Sequence, residues 1–319
     1  MNLPKNLPFT YSTFTMHLQA RDQLDLPPYK GSTLRGGFGH VFKRVCCIAP
    51  EGQCRNACQH GKTCAYGHIF ETPQPANAEG PIQAANLPHP FVLLPPLTSR
   101  EHFEPGDSFE MGVTLVGHSI DFIPYFVYGF EELGRIGIGR GNGRYRLTHV
   151  TDSSGAAVYD GATKAFSSDY QRQTFDDLHP VEKPKNHLTL DFQTPTRILH
   201  HNRTTKELTF ELLIRNLLRR ASLLAEIHCG QKWQLDYRQV IEAARQDAHV
   251  EHSALDWYRW QRYSSRQNQR MNFDGFVGRI TFAGNLTKYL PLIRLGSAIH
   301  IGKNTTFGMG KYVIMSDHA

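Results

Sequence analysis

The alternation of apolar and polar residues predicts a strand at the start of the chain and a helix after it. Residues 9–20, FTYSTFTMHLQA, alternate with a period of two, which is typical of a half-buried strand. The turn LPPYKG follows, and Ser32 or Thr33 is placed to cap a helix. The apolar stripe expected on that helix consists of Leu34, Phe38, Val41, Phe42 and Val45.

The same succession of patterns occurs a second time in the chain. A strand at 107–116, a helix at about 123–133 and a glycine-rich strand complete the first half. In the second half, LTLDF reads as a strand and TPTRIL as a turn. The segment FELLIRNLLRRASLLAEIHCG reads as an amphipathic helix that Gly230 closes. The strand VGRITFAGN, a short helix and a second glycine-rich strand then follow.

The two glycine-rich strands are echoes of each other. Residues 133–147 read LGRIGIGRGNGRYRL, and residues 295–314 read LGSAIHIGKNTTFGMGKYVI. Both begin with Leu-Gly and end with G-x-G, a cation, Tyr and an aliphatic residue. This duplication predicts an α+β protein with two tandem ferredoxin-like domains of the RRM type. The expected boundaries are 1–150 and 187–319, with a polar linker at 151–186 and a cysteine-rich metal-binding insertion at 46–68 in the first domain.

Length and charge fit two domains that meet an anionic partner. A chain of 319 residues is long enough for two separate cores. It carries 35 Lys and Arg against 29 Asp and Glu, and its pI near 9.0 favours a partner such as nucleic acid. No apolar run approaches the ~20 residues of a membrane helix. We therefore expect a soluble, cytoplasmic protein without a membrane partner.

Five of the six cysteines lie between residues 46 and 64, which is too clustered for a distributed disulfide framework. Cys47, Cys54, Cys58 and Cys64 have the spacing C-x6-C-x3-C-x5-C, which predicts a structural zinc site with four thiolate ligands. Cys46 is an alternative to Cys47, and His60 and His68 are spare ligands nearby. An iron–sulfur cluster is a second possibility, and reduced thiols without metal are the simplest alternative.

Two further segments have the composition of RNA-binding surfaces. In the second glycine-rich strand, Gly302, Gly308 and Gly310 would let backbone N–H groups approach phosphates, with charge and donors from Lys303, Asn304 and Lys311. A tight structural turn is the alternative. The run 263–270, YSSRQNQR, follows several aromatic residues, and Tyr263, Arg266 and Arg270 are its predicted RNA contacts. A surface hairpin anchored by those aromatics is the competing interpretation.

Several motifs resemble one known family over nearly the whole chain. They are LPPYKGSTLRGGFGH, CAYGHIFETP, PHPFVLLPP, ELGRIGIGRGNGRYRL, DWYRWQRYSSRQNQRMNFDGFVGRITF and HIGKNTTFGMGKY. Together they look like the CRISPR-associated endoribonuclease of the RAMP superfamily that processes precursor CRISPR RNA (crRNA). The resemblance implies tandem ferredoxin-like domains, a C-terminal glycine-rich loop that holds RNA, and metal-independent cleavage within each repeat.

Such cleavage needs a base for the 2′-OH, an acid for the leaving 5′-oxygen and a cation for the phosphorane charge. The products are a cyclic phosphate and a 5′-OH. In the family, a His associated with the first helix does this work with a Tyr and a Lys, which corresponds here to His40, Tyr29 and Lys43. His17 and His300 are reserve candidates, and Arg266 is a second candidate cation. The remaining predicted RNA contacts are Lys30, Arg35, Arg44, Arg140 and Arg144.

We therefore expect an endoribonuclease that binds CRISPR repeat RNA and cuts it once per repeat, with other CRISPR effector subunits as possible partners. A noncatalytic RAMP-type subunit that binds guide RNA in an effector complex is the alternative, because both would carry basic glycine-rich loops. They differ in whether His40 reaches a scissile phosphate. A zinc-stabilised RNA-binding protein unrelated to CRISPR is a third hypothesis.

Overall fold

The computed structural model describes residues 4–47, 54, 64–72, 87–179, 185–200, 203–264 and 269–316, without the side chains of 262–264 and 269–271. The chain divides into two compact units. The N-terminal unit comprises Phe9–Gln173 and Leu223–Gln231. The C-terminal unit comprises Met1–Pro8, Thr174–Ser222 and Lys232–Ala319.

The first half of the chain contains eight strands and three α-helices among its described residues. In chain order they are β1 (Thr10–Ala20), β2 (Leu24–Asp25), α1 (Gly31–Cys46), α2 (Ala65–Phe70), β3 (Phe91–Leu94), β4 (His102–Phe103), β5 (Ser108–Val116), α3 (Ile123–Ile136), β6 (Tyr145–Asp152), β7 (Ala157–Asp160) and β8 (Gln173–Thr174). Short 3-10 helices cover Gly117–Phe122 and Asp176–Leu178.

The second half repeats the alternation of strands and helices. Its described elements are β9 (His187–Thr196), β10 (Leu199–His200), β11 (Arg203–Thr204), α4 (Phe210–His228), α5 (Tyr237–Asp247), β12 (Ala248–Tyr258), β13 (Gln261–Ser264), β14 (Gln269–Asn272), β15 (Gly275–Gly284), α6 (Leu290–Ile299) and β16 (Tyr312–Ile314). Thr287–Tyr289 and Thr305–Phe307 form 3-10 helices.

The two main sheets have the same topology. The order β3-β5-β1-β6 in the first matches β12-β15-β9-β16 in the second, and every neighbouring pair is antiparallel. In both, the chain runs strand, helix, two strands, helix and strand, which is the split β-α-β arrangement expected from the duplication. β7 extends the first sheet beyond β6, and β8 also pairs with β1. The mixed α and β class with antiparallel sheets is confirmed.

The sequence echo has a structural cause in the contact between the last strand and the last helix of each sheet. Tyr145 on β6 donates its hydroxyl to the carbonyl of Phe130 on α3, and Tyr312 on β16 donates to Ile293 on α6. Both tyrosines are buried, and burial raises the pKa of each phenol. An added Cβ at Gly134 would lie 2.5 Å from the Tyr145 carbonyl oxygen. At Gly296 it would lie 2.1 Å from the Tyr312 hydroxyl, so the Leu-Gly pairs leave space for these tyrosines.

The predicted stripe of α1 faces the core of the N-terminal unit. Leu34, Phe38, Val41 and Phe42 are buried, and Val45 is partly buried against them. Phe38 stacks on Phe130 with ring centroids 4.4 Å apart. The expected cap at Ser32 or Thr33 is wrong, because the helix starts at Gly31 with Lys30 as N-cap and no side-chain capping bond.

The segments between predicted elements are more ordered than the sequence indicated. Part of the predicted linker 151–186 is strand, since β7 pairs with β6 in the main sheet. The predicted turn TPTRIL begins inside β9, which continues to Thr196. The domain boundaries themselves stay a prediction. Each helix in the described part of the chain is too short or too polar to cross a bilayer.

Candidate functional site

His40 lies on the solvent-exposed side of α1. Gly36, His40 and Arg44 are all exposed, and their spacing of four residues places them along one face of the helix. The neighbouring positions 38, 39, 41 and 42 are buried, which fixes the rotation of the helix and therefore the direction of this face. The buried stripe thus presents His40 outward, where a substrate can reach its imidazole.

Two cations follow His40 in the last turn of α1. Lys43 is half-buried, and its ammonium lies 5.8 Å from the centre of the Tyr66 ring. The Arg44 guanidinium lies 3.9 Å from the Glu132 carboxylate, which also approaches Arg135 at 3.3 Å. Lys43 and Arg44 also complement the negative end of the helix dipole. A phosphate beside His40 would therefore meet positive charge.

The start of α1 has a different role from the one predicted for RNA binding. The Lys30 side chain is buried, and its ammonium donates to the carbonyl oxygens of Pro28 at 3.1 Å and Thr98 at 2.8 Å. Burial lowers the Lys30 pKa, and the nearby Glu101 carboxylate opposes that shift. The prediction of Lys30 as an RNA contact is corrected, because its donors hold the chain together inside the unit.

Tyr29 and Arg35 are also packed inward. Tyr29 is buried before the first turn of α1, and His40 lies ~15 Å of helix rise further on. The Arg35 guanidinium lies 4.6 Å from the centre of the Phe70 ring, a cation–π contact within the unit. The roles predicted for both residues stay predictions, while the structure buries Tyr29 and gives Arg35 a cation–π contact.

The reserve histidines have protein partners. His17 on β1 approaches Glu110 at 3.0 Å and stacks on His149 with ring centroids 3.8 Å apart. His300 is buried, its Nδ1 lies 3.1 Å from the Met309 carbonyl oxygen, and burial holds its pKa well below the ordinary value. The buried imidazole of His300 does not suit catalysis, whereas His40 is exposed.

The first glycine-rich strand presents its arginines to solvent. Arg140 and Arg144 are exposed, and the backbone N–H of Arg140 donates to the Asp25 carbonyl. The Arg144 Nε donates to Asp22 at 2.7 Å, which raises the pKa of the arginine and lowers that of the aspartate. The charge of Arg144 is thus paired at the surface, and that of Arg140 faces solvent.

The second glycine-rich strand is built by close backbone contacts. Gly302, Gly308 and Gly310 have φ values of 81°, 81° and 79°, and Asn304 has 61°. An added Cβ at Gly302 would lie 2.4 Å from the Arg197 carbonyl oxygen, and one at Gly310 would lie 1.9 Å from that of Ile301. These contacts support the tight-turn interpretation for the glycines. RNA contact by the side chains of the loop stays a prediction.

The two lysines of this loop differ in accessibility. The Lys311 ammonium donates to the Ser297 carbonyl at 2.9 Å, and burial lowers its pKa. This bond gives Lys311 an internal partner, and its role as an RNA contact stays a prediction. Lys303 is half-buried, and its pKa is lowered mainly by burial and further by the positive charges of Arg219 and Arg197. The two arginines are candidate RNA contacts that sequence reasoning missed, because Arg197, just after β9, and Arg219, on α4, lie far from the loop in the chain.

The donor-rich run forms a hairpin. β13 pairs with β14, and the backbone of Tyr263 stands opposite that of Arg270. The side chains of Tyr263 and Arg270, and the whole of Arg266, lie outside the described part of the chain. Trp260 contacts Phe273 at 5.2 Å between ring centroids, and Phe273 contacts Phe307 of the glycine-rich loop at 5.3 Å. The aromatic anchor is therefore present, as the competing interpretation expected, and RNA binding by the hairpin stays a prediction.

The predicted zinc site is only partly described. Cys46, Cys47, Cys54 and Cys64 lie within the described residues, and Cys58 lies outside them. Burial, with the neighbouring Cys64 and Cys47, raises the pKa of Cys46 to about 12. Among the described residues, no group of three His, Cys, Asp or Glu side chains is arranged to hold a metal ion. The cysteine-rich metal site is therefore unsupported by these residues and stays a prediction.

Comparisons with known proteins match the two halves of the chain to two family models. Residues 7–171 match the model of the AF_1859_N family of N-terminal domains, and residues 190–312 match that of the CRISPR-associated endoribonuclease Cas6. The chain is thus a CRISPR RNA-processing endoribonuclease, consistent with two like sheets, an exposed histidine and a cationic loop. Its first half, residues 7–171, belongs to the AF_1859_N family, and the Cas6 match covers residues 190–312 of the second half.

Individual relatives share the architecture at low identity. An uncharacterized protein of Archaeoglobus fulgidus is 26% identical over 316 residues, covering 96% of this chain and 100% of that protein. Thermus thermophilus Cas6 has a TM-score of 0.56 at 17% identity, covering 97% of this chain and all of that one. A Cas6 product complex gives a TM-score of 0.60 at 18% identity, with 96% and 100% coverage. These structural similarities establish the shared fold.

Proposed function

We propose that this protein binds CRISPR repeat RNA and cleaves precursor crRNA once within each repeat. The two units act in this proposal as tandem ferredoxin-like domains. The solved relatives include a Cas6 product complex and a Cas6 substrate mimic complex, which support RNA as the ligand of this chain. A partial Cas6-RT-Cas1–Cas2 complex also shares the fold and supports other CRISPR proteins as partners.

The reaction we propose is attack by the 2′-OH on the adjacent phosphorus, which breaks the bond to the 5′-oxygen. His40 takes the 2′-OH proton or delivers one to the leaving oxygen, because histidine is the side chain that most often serves as a general acid or base. Lys43 and Arg44 offset the charge on the phosphorane. The products are a 2′,3′-cyclic phosphate and a 5′-OH, and no step requires a metal ion.

One observation carries the catalytic proposal. α1 buries its apolar stripe and leaves His40 exposed one turn before Arg44, with Lys43 beside it. The proposal rests on this juxtaposition of a proton-transfer group with cations, and the family membership supports it. His17 and His300 are paired or buried, which favours His40 over both.

RNA binding is assigned to the accessible parts of the basic surfaces. In the C-terminal unit these are Lys303, Asn304 and the neighbouring Arg219. Tyr263, Arg266 and Arg270 are proposed as further RNA contacts from their place in the donor-rich run of the sequence. In the N-terminal unit they are Arg44 and Arg140. The cysteines 47, 54, 58 and 64 are proposed as a structural zinc site that takes no part in catalysis.

The test is cleavage of repeat RNA in EDTA by wild type, His40→Ala and the control His118→Ala. His118 is also an exposed histidine of the N-terminal unit, so it controls for loss of a surface imidazole. We expect the His40 variant to cleave about 10²–10⁴-fold more slowly with unchanged RNA affinity, since general acid–base catalysis contributes that much. The control should cleave at the wild-type rate and give cyclic-phosphate ends.

Tight binding without cleavage by the wild type would reject the enzyme and favour the noncatalytic guide-binding subunit. Cleavage that EDTA abolishes and added metal restores would reject metal-independent chemistry. Full activity in His40→Ala would remove His40 from the mechanism while leaving the endoribonuclease assignment intact.

A further inference from the structure

Exposed apolar side chains are concentrated on one helix face. The described residues include six large hydrophobic side chains that are exposed, and three of them, Tyr125, Tyr128 and Ile136, lie on α3. Tyr125 and Tyr128 are 44% and 50% exposed and lie one turn apart, on the side of α3 opposite its buried stripe. Two adjacent aromatic rings held on a rigid helix form a defined surface that the mechanism above does not use.

This aromatic surface borders the face of α1 that carries His40. The two helices pack antiparallel: an added Cβ at Gly37 would contact Leu133, and one at Gly129 would contact Phe38. Towards the other end of the contact, the ring of Phe42 lies 6.4 Å from that of Tyr125. The 3.9 Å approach of Arg44 to Glu132 joins the outer edges of the helices. His40 is thus exposed on one helix of this antiparallel pair and Tyr125 and Tyr128 on the other, and we call the exposed seam between the two helices the helix groove.

The charge around the groove is positive. Lys43, Arg44 and Arg135 supply three cations, and Glu132 is shared between Arg44 and Arg135. Paired aromatics among cations are the combination that holds single-stranded nucleic acid, since bases stack on the rings while cations meet the phosphates. A purely apolar protein partner would have to bury these cations at a desolvation cost that a polyanion offsets. Charge complementarity thus favours a polyanion that carries aromatic bases.

We propose that Tyr125 and Tyr128 stack with the nucleobases that flank the scissile phosphate and so position that phosphate at His40. This inference rests on the proposed function and extends it by naming specificity-determining side chains outside the proton-transfer group. The bases next to the cut would have to be unpaired to reach the rings.

The experiment places 2-aminopurine on either side of the scissile phosphate and uses His40→Ala protein, so that the RNA stays intact during the measurement. Binding should quench the fluorescence by stacking. Adding Tyr125→Ala and Tyr128→Ala together should weaken the quenching and raise the Kd roughly 30-fold or more, given the usual contribution of two base–aromatic stacks. The corresponding Phe substitutions keep the rings and should preserve both signals.

Leu97→Ala is the control, because it removes an exposed side chain of the same unit away from the helix groove. Unchanged Kd and quenching in the double Ala variant would overturn the inference. A double variant that alters only the oligomeric mass in sedimentation would overturn it in favour of a self-association surface. Cleavage by wild type and its loss in His40→Ala test the proposed function separately, so failure at the tyrosines alone leaves that function standing.

Discussion

The two glycine-rich strands occupy the same place in their units, but the cations on them differ in their exposure and in the groups that neighbour them. In the first, Arg140 and Arg144 are exposed, and Arg144 is neutralised by Asp22 at 2.7 Å. In the second, Lys311 donates to a carbonyl, and Lys303 is half-buried near Arg219 and Arg197. The repeated backbone thus carries a compensated surface charge in one unit and a concentrated positive charge in the other. Duplication preserves the packing, and the electrostatics diverge.

The largest effect should come from the backbone of the second strand. Gly310→Ala would place a Cβ 1.9 Å from the Ile301 carbonyl oxygen at a φ of 79°. We expect a loss of about 3 kcal/mol or more in the free energy of unfolding, because a steric clash adds to the left-handed strain. Urea unfolding of the purified protein measures it.

Gly141→Ala in the first strand is the matched control. Its φ is 84°, but an added Cβ would meet nothing within 4 Å. Only the conformational cost of about 1–2 kcal/mol should remain. If the two variants lose the same free energy of unfolding, the backbone around Gly310 can move away from the added Cβ at no energetic cost.

A smaller effect, the same in both units, is expected at the buried tyrosines. Tyr145→Phe and Tyr312→Phe each delete one hydrogen bond to a helix carbonyl and keep the ring. Each should lower the free energy of unfolding by about 1 kcal/mol, the usual net value of such a bond. Thermal unfolding of both single variants tests whether the units are equivalent here. A cost in one unit alone would break the equivalence.

The smallest effect concerns RNA affinity at the two strands. Lys303→Ala should reduce the slope of log affinity against log salt by about one, which is the change expected when one phosphate contact is lost. Arg144→Ala should change that slope less, because Asp22 already compensates its charge. Filter binding of repeat RNA across a salt series compares the two. A larger change for Arg144 would reverse the proposed contrast between the strands.

The sequence predicted those parts of the fold in which local pattern and packing agree. The alternation in 9–20 became β1, and the stripe centred on Phe38 became the buried face of α1. Gly230, at φ 76°, follows the end of α4 as a C-terminal glycine should. The Leu-Gly and Tyr echoes were visible as letters, and their cause is the tyrosine contact with each helix.

Burial of charged residues could not be predicted in the same way. Lys30 and Lys311 look like surface cations in the sequence, yet their ammonium groups donate hydrogen bonds to backbone carbonyls, that of Thr98 for the first and that of Ser297 for the second. Arg197 and Arg219 escaped notice because their proximity to Lys303 depends on tertiary folding. Tyr125 and Tyr128 fit a helical pattern, and only the packing of α3 shows that they face outward.

The bond between tyrosine and helix has a consequence for the order of folding. Tyr145 and Phe130 are 15 residues apart in the chain, and Tyr312 and Ile293 are 19 apart, so each contact closes a short loop at low entropic cost. The pairing of β1 with β6 instead joins residues more than 120 positions apart. Contacts between residues close in the chain form fastest. We therefore expect each helix–strand corner to assemble early, giving the chain two independent nuclei before the long-range sheets close.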